Sequence, residues 1–462
     1  MVTKALTMPE AVCRIIERLE KAGFEAYAVG GCVRDVLLRR LPKDWDIATN
    51  ATPAEIQKVF RKTLYNNRFG TVAVSEGGET YEVTTYRTEG AYEDARRPSE
   101  VTFVTSLRED LSRRDFTINA MALKGPSSLG EGQSLGTVTD PFGGQKDLHA
   151  KLVRAVGDPL VRFDEDALRL MRAVRLATQL DFTIEAGTLR AINQKASLLE
   201  EISRERIRDE LMKIISSDHP DRGIRLLIET GLMEFIIPEL LEGTDFDQPK
   251  HHHFPVLEHN IRSLAQTPSD DPLVRLASLL HDVGKPKSAR GQGAARTFHG
   301  HEVIGARQTK RIMERLRFSK ADTDRVVNLV RNHMFLFQFE TTDKAVRRII
   351  RRVGPENVAD LVALRVGDRL GSGCRIGYNK KLQLFEERVV EVQKDPIDTR
   401  LLAINGHDLM QGLGIEPGPV IGRIMDQLLE EVLDDPDRNT KEYLSERAAA
   451  LHQELAASDS GR

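Results

Sequence analysis

The sequence predicts a fold of two kinds: an α+β N-terminal domain, then a chain that is helical almost to its end. Over the first 150 residues, short apolar runs are separated by Gly, Pro and Asp, the pattern of half-buried strands between turns. From Asp158 onward apolar residues recur at helical spacing. The length of 462 residues exceeds what one core supports, so several domains are expected.

The α+β part is organised around AVGGCVRDVLLRRLPKDWDIAT, Ala28 to Thr49. The apolar run Tyr27-Ala28-Val29 ends at Gly30-Gly31, where a helical pattern opens. Adjacent glycines between strand and helix let backbone N–H groups approach a phosphate, and the helix N-terminus favours negative charge. Arg34, one turn in, can reach the same anion. Leu41-Pro42 ends the helix, and Asp44-Trp45-Asp46-Ile47 reads as the next strand, with Asp44 and Asp46 on one face. Two such carboxylates repel unless a cation lies between them, and paired oxygen ligands suit Mg²⁺ in phosphoryl transfer. Trp45, the single tryptophan, is expected to pack in the core.

The other elements follow in order. Residues 9–22 read as a helix, as do 52–62, with Thr52 as N-cap and Pro53 in the first turn. Residues 71–75 and 81–86 read as strands about a Glu76-Gly77-Gly78 turn. Glu82 in the second is placed to add a third carboxylate beside Asp44 and Asp46. Residues 87–100 (RTEGAYEDARRPSE), charged and aperiodic, read as a mobile loop, and 101–104 as a strand. Residues 111–123 (LSRRDFTINAMAL) read as a helix carrying Arg113, Arg114, Asp115 and Asn119. A Gly/Ser-rich loop (124–136) and DPFGGQKDL (140–148) close the domain.

Residues 163–180 (FDEDALRLMRAVRLATQL) read as one helix, with Asp166, Arg169, Arg172 and Arg175 at three-residue spacing opposite Leu168, Met171 and Val174. By spacing alone this is a solvated face. Its chemistry permits another use: an Asp accepts from an exocyclic amine while an Arg donates to the neighbouring ring nitrogen or carbonyl. Cytosine and adenine both present that edge, whereas uracil and guanine present the reverse and would leave both groups unpaired.

With these motifs in order (GGCVRD with DWD, TYEVTTYR, RRDFTINAMA, DPFGG and EDALRLMRAVR), the chain resembles a class II tRNA nucleotidyltransferase. That is the CCA-adding enzyme family, among the polymerase-β-like nucleotidyltransferases that also include bacterial poly(A) polymerases. The resemblance implies a mixed-sheet catalytic head over 1–150, a base-recognising neck over 151–220, a helical body over 221–375 and an RNA-binding helical tail over 376–462. It implies template-independent transfer of CMP and AMP from CTP and ATP to the tRNA 3′ end by two-metal catalysis. Asp44 and Asp46 would hold Mg²⁺, with Glu82 beside them in the catalytic set. Gly30, Gly31 and Arg34 would lie on the triphosphate, and Arg114 and Asn119 near phosphate and ribose. Asp166 and Arg169 would read the base, and Arg172 and Arg175 would line its pocket. Poly(A) polymerases and CC- or A-adding specialists share the head motifs. The 87–100 loop resembles that of full CCA-adding enzymes and favours that product.

A second cluster follows Phe254. His259, His281-Asp282, His301, His333 and Asp368 sit on successive apolar helix patterns, and imidazole with carboxylate is an ordinary donor set for a divalent transition metal. These residues resemble an HD phosphohydrolase domain, which some class II CCA-adding enzymes carry in the body. The resemblance implies action on phosphomonoester or 2′,3′-cyclic phosphate ends. A rival is an HD phosphohydrolase whose head only binds RNA; the intact DWD pair argues against it. The triplet at 251–253 stays unassigned, with a loop or substrate-facing role open.

Composition sets outer bounds. The chain is 40% hydrophobic and 30% charged with a net charge of −3, ordinary for a soluble protein. No apolar run approaches membrane-spanning length, and three widely spaced cysteines suit a reducing cytoplasm. The basic helix at 344–352 (KAVRRIIRR) reads equally as an RNA contact or a solvated face. LGIEPGPVIGRIM (413–425) offers Gly and Pro before a helix start, and 456–462 are expected to fray.

Overall fold

The structure, a computed structural model, describes residues 8–65, 70–89, 101–125, 136–248, 253–335 and 337–459. The chain forms two compact units, Met1–Leu241 with Arg315–Arg317, and Glu242–Glu314 with Phe318–Arg462. The first holds both the expected head and the expected neck.

In the first unit, Glu10–Lys21 buries Val12, Ile15, Ile16 and Leu19 at helical spacing. The strands are β1 (Ala26–Val29), β2 (Asp46–Thr49), β3 (Thr63–Tyr65), β4 (Thr71–Glu76), β5 (Glu79–Thr85), β6 (Arg87–Glu89), β7 (Val101–Phe103), β8 (Ala122–Leu123) and β9 (Val138–Thr139). Seven make one mixed sheet in the order β3-β4-β5-β2-β1-β8-β9. β2 runs parallel to β5, and the other neighbouring pairs are antiparallel. Val29, Ala48, Tyr86, Leu111, Ala120, Ala122 and Val156 form its core, with Tyr27 and Phe142 packed against it. The helix Pro53–Val59 starts at Thr52 as expected, and Glu55 completes a capping box there.

The structure departs from the sequence expectations at five points. The DWD strand begins at Asp46, so Asp44 and Trp45 precede it, and Trp45 is only half-buried rather than core. Arg87–Glu89, expected as loop, pairs with β7; the rest of that loop, 90–100, lies outside the described residues, as do 126–135 of the Gly/Ser loop. Residues 111–123 are not one helix: Leu107–Ser112 ends before Asp115, and Thr117–Asn119 is a single 3₁₀ turn. The cause is tertiary. Phe116 is extended (φ −129°, ψ 149°), bridged to Ala155, and its N–H is taken by the Asp115 carboxylate at 2.8 Å. Residues 163–180 divide into Pro159–Glu165 and Leu168–Leu180, broken at Asp166 (φ −143°, ψ 103°). There the Asp166 carboxylate accepts from Leu168 N at 3.1 Å, as short acids do at helix starts.

The second unit is helical. Val256–Gln266 and Val358–Gly371 cross at small residues: a Cβ on Gly367 or Gly371 would collide with Thr267 or Ser263. Only glycine allows this approach, and it brings His259 and Asp368 together. Gly284 likewise lies against the backbone of His301 and Gly305. The basic helix Asp343–Val353 faces an acidic one, Pro419–Asp434: Arg348 and Arg351 pair with Glu430, Lys344 with Asp434, and buried Arg347 donates to Leu433 O and Asp395. Its cations are therefore largely spent within the protein. Residues 251 and 252 of the histidine triplet lie outside the described residues, and so do 460–462; Lys441–Asp459 is helix.

Candidate active site and metal cluster

In the first unit the expected residues converge at one end of β1 and β2. Gly30 has φ +83°, a conformation glycine adopts freely, and starts the helix Gly31–Leu37. A Cβ there would lie 2.9 Å from Arg114 Nη1 and 3.8 Å from Asp46 Oδ2, so the turn, Arg114 and Asp46 are immediate neighbours. Asp46 is the register partner of Glu82 on the parallel strand β5, and Asp44 lies two residues before it; all three are exposed. Loss of hydration, then Asp44, raises the Asp46 carboxyl above its ordinary value; Arg114 opposes this and Glu82 adds to it. Carboxylates that repel in this way form an oxygen-ligand set fitted to a divalent cation. Burial pushes the neighbouring Cys32 thiol up to about 12, which excludes it as a thiolate nucleophile at neutral pH.

A polar chain leads away from this point. Arg34 Nη1 donates to Asn119 Oδ1 at 2.7 Å, Asn119 Nδ2 to Asp115 Oδ1 at 3.2 Å, and Arg172 Nε to Asp115 Oδ2 at 2.8 Å. Burial raises the Asp115 carboxyl, but Arg172 and its other donors outweigh that and hold it well below the carboxylate range. Arg175 Nε meets Glu210 at 2.5 Å. Arg169 Nη1 donates to Glu165 Oε2 at 2.6 Å and Arg162 O at 3.1 Å, while Nη2 donates to Arg113 O at 2.9 Å. Asp166 takes Arg206 Nη2 at 3.0 Å. Sequence reasoning missed Asp110, buried beneath Arg113 and Arg114, although its i,i+3 and i,i+4 spacing to them was visible. It also missed Arg206 and Glu210, whose partners lie more than thirty residues away.

In the second unit all six expected ligand-type residues come together, buried. Asp282 divides them into two groups. Its Oδ2 lies 3.3 Å from both His259 Nε2 and His281 Nε2, and its Oδ1 3.2 Å from His301 Nε2 and 3.5 Å from His333 Nε2. Asp368 Oδ1 joins the first group, 3.3 Å from His259. His281, His301 and His333 each donate Nδ1–H to the carbonyl three residues earlier (Ser278, Phe298, Val330) at 2.7–2.8 Å. A carbonyl can only accept, so each ring is oriented with Nε2 turned to the cluster, the arrangement of metal-binding histidines. Nε2 atoms approach to 3.0 Å (His259–His281) and 3.2 Å (His301–His333), which requires a shared proton or a cation. Burial lowers His281, but Asp282 and Asp368 together raise it to about 10, so the carboxylates strongly favour positive charge at this point. Lys285 Nζ reaches Asp282 at 2.5 Å and Arg365 reaches Asp368 at 2.5 Å. Both line an adjoining cavity of about 520 Å³ with Phe298 and Met334.

Comparison with known proteins supplies the rest. The family model of the Poly A polymerase head domain matches residues 26–154. That of the RNA and SrmB-binding site of polymerase A matches 181–243, and that of tRNA nucleotidyltransferase domain 2 matches 302–448. The chain is 37% identical over 433 residues to a CCA-adding enzyme of Pediococcus pentosaceus, covering 92% of this chain and 93% of that one. The chain belongs to the CCA-adding enzyme family. A Limosilactobacillus fermentum member is 36% identical over 95% of this chain and 96% of its own. The crystal structure of the Bacillus stearothermophilus CCA-adding enzyme in complex with CTP matches with a TM-score of 0.72 at 28% identity, covering 98% of this chain and all of that one. Within this family the chain is a nucleotidyltransferase enzyme, and its head-plus-helices fold is the family's. Among the described residues, no helix is long and apolar enough to cross a membrane.

Proposed function

We propose that this chain adds CMP and AMP from CTP and ATP to the 3′ end of tRNA, without a nucleic-acid template, and ends at CCA. The observation that carries the reading is the meeting of Asp46, Glu82, Arg114 and the Gly30 turn at one strand end, in a CCA-adding family member. The Bacillus stearothermophilus relative binds CTP, which supports CTP as a substrate here. Asp44, Asp46 and Glu82 are the residues that would hold Mg²⁺, which when bound activates the attacking 3′ hydroxyl and offsets charge on departing pyrophosphate in two-metal catalysis. The chain's own groups do the rest. Backbone N–H groups at Gly30 and Gly31, with Arg34 and Arg114, bind and orient the triphosphate. Asn119 faces the ribose, and Asp166 and Arg169 read the Watson–Crick edge in a pocket bounded by Arg172 and Arg175. Residues 1–150 serve as head, 151–220 as neck, 221–375 as body and 376–462 as RNA-binding tail. Three unpaired cysteines fit a cytoplasmic setting.

The test supplies purified protein with tRNA ending at the discriminator base, each nucleoside triphosphate alone, then CTP with ATP. Addition that stops after three nucleotides supports the reading. Long A tails indicate a poly(A) polymerase, and addition ending at CC a specialist.

A second activity is favoured by the buried cluster in the other unit. His259, His281, Asp282 and Asp368 form one candidate ion site and Asp282, His301 and His333 another, an arrangement for a divalent transition metal in an HD phosphohydrolase. Lys285 and Arg365 beside the cavity suit a phosphomonoester or cyclic phosphate end. Metal analysis, with release of phosphate from such ends, tests it; a metal-free protein lacking this activity refutes it.

A further inference from the structure

We infer that Arg206 is a positioning residue for base selection, holding the Asp166 carboxylate in the orientation from which it reads the incoming base. This rests on the reading of Asp166 as the acceptor for the exocyclic amine. Asp166 lies between two helices in extended backbone, so no helical turn of its own fixes its side chain. Two groups fix it instead. Leu168 N–H holds Oδ1 at 3.1 Å, and Arg206 Nη2 spans both oxygens, at 3.3 Å from Oδ1 and 3.0 Å from Oδ2.

Arg206 comes from a different helix, Arg204–Ile215, and Glu210 one turn further along the same face pairs with Arg175. The two rungs tie that helix to Leu168–Leu180 at Asp166 and at Arg175. The Arg206 contact is made through one nitrogen, whereas Arg–carboxylate pairs are commonly two-pronged. A carboxylate offers about four lone-pair sites, so Asp166 keeps acceptor capacity for a ligand amine. Arg206 Nη1 is buried and has no protein acceptor among the described residues, so the fork is held turned rather than closed on Asp166. Arg169 differs: its terminal nitrogens are engaged by Glu165, Arg162 O and Arg113 O. Arg169 thus has two backbone carbonyls besides its one acidic partner, whereas Asp166 has a single backbone donor besides Arg206.

The test compares wild type, Arg206→Met, Arg206→Lys, Asp166→Ala and the double variant Asp166→Ala/Arg206→Met. Single-nucleotide addition to tRNA is measured with CTP, UTP, ATP and GTP, alongside thermal melting. Arg206→Met should raise KM for CTP and ATP and lower selectivity over UTP and GTP by about tenfold or more. Arg206→Lys should restore part of that selectivity. The double variant should match Asp166→Ala, because Arg206 acts only through Asp166. If Arg206→Met slows all four nucleotides equally, or only lowers the melting temperature, Arg206 is a structural rung and the inference falls. If Arg206→Met does not fold, Arg206→Gln, which keeps a donor on a shorter stem, is judged by the same two criteria. If Asp166→Ala leaves selectivity unchanged, the base-reading assignment fails, and this inference with it.

Discussion

The molecule gathers carboxylates in two places and treats them in opposite ways. In the first unit Asp44, Asp46 and Glu82 stand exposed where β2 begins beside the middle of β5, with Arg114 as the near cation. In the second, Asp282 and Asp368 are buried among four histidines drawn from several helices. Pairing of β2 with β5 places Asp46 beside Glu82 at an open face of the sheet, the setting that exchangeable ions and ligands require. Helix crossings place ligands in a dry interior, where an uncompensated charge is untenable and a resident cation is favoured. The open site suits turnover, and the closed one suits retention.

The largest effect should come from the open site. Asp46→Asn should lower nucleotide transfer by at least about a thousandfold. It should not destabilise the fold. The Asp46 carboxyl lies above its unfolded value, so its ionised form opposes folding at neutral pH. The variant should therefore melt higher than wild type at pH 7, with the gain vanishing as pH falls through about 4. The buried site should behave in reverse: Asp282→Asn, which leaves histidines and Lys285 without their shared acid, should destabilise by about 3–5 kcal/mol. A melt within about 1 kcal/mol of wild type would remove the contrast between the sites.

Asp115 sharpens it within one unit. Its carboxyl lies below the unfolded value, so its stabilisation is complete above about pH 4 and lost as pH falls through the lowered folded value. Asp115→Asn should cost about 2 kcal/mol at pH 7 and progressively less below pH 4, as urea denaturation across pH would register. The smallest effect belongs to the solvent-exposed pairs of the basic helix: Arg351→Ala should change stability by about 0.5 kcal/mol or less in the same measurement.

What the sequence made legible was what depends on local period. The strand–Gly-Gly–helix turn, the helix start at Thr52 and the placing of Glu82 beside the DWD segment follow from alternation and turn chemistry. The six buried ligand-type residues were recognisable because each interrupts an apolar helix pattern. What failed was decided by distant contacts. The RRDFTINA segment has helical spacing, but the Asp115 carboxylate satisfies its neighbour's N–H and its ion-pair partner Arg172 is drawn from beyond residue 150. The break at Asp166 was present in the residue type, since an acid inside a helix competes for backbone N–H groups. The basic helix could not be read because its acidic counterpart lies some eighty residues further on.

If nucleotide addition belongs to the open carboxylates alone, two variants assayed side by side should part company: Asp44→Ala/Asp46→Ala and His281→Ala/Asp282→Ala, each measured for addition to tRNA and for bound transition metal. The first should lose addition with both CTP and ATP while binding as much transition metal as wild type. The second, still folded, should bind none yet complete three-nucleotide addition within a few-fold of wild type. Addition surviving in the first, or collapsing in the folded second, would show that the open carboxylates are not the sole seat of transfer.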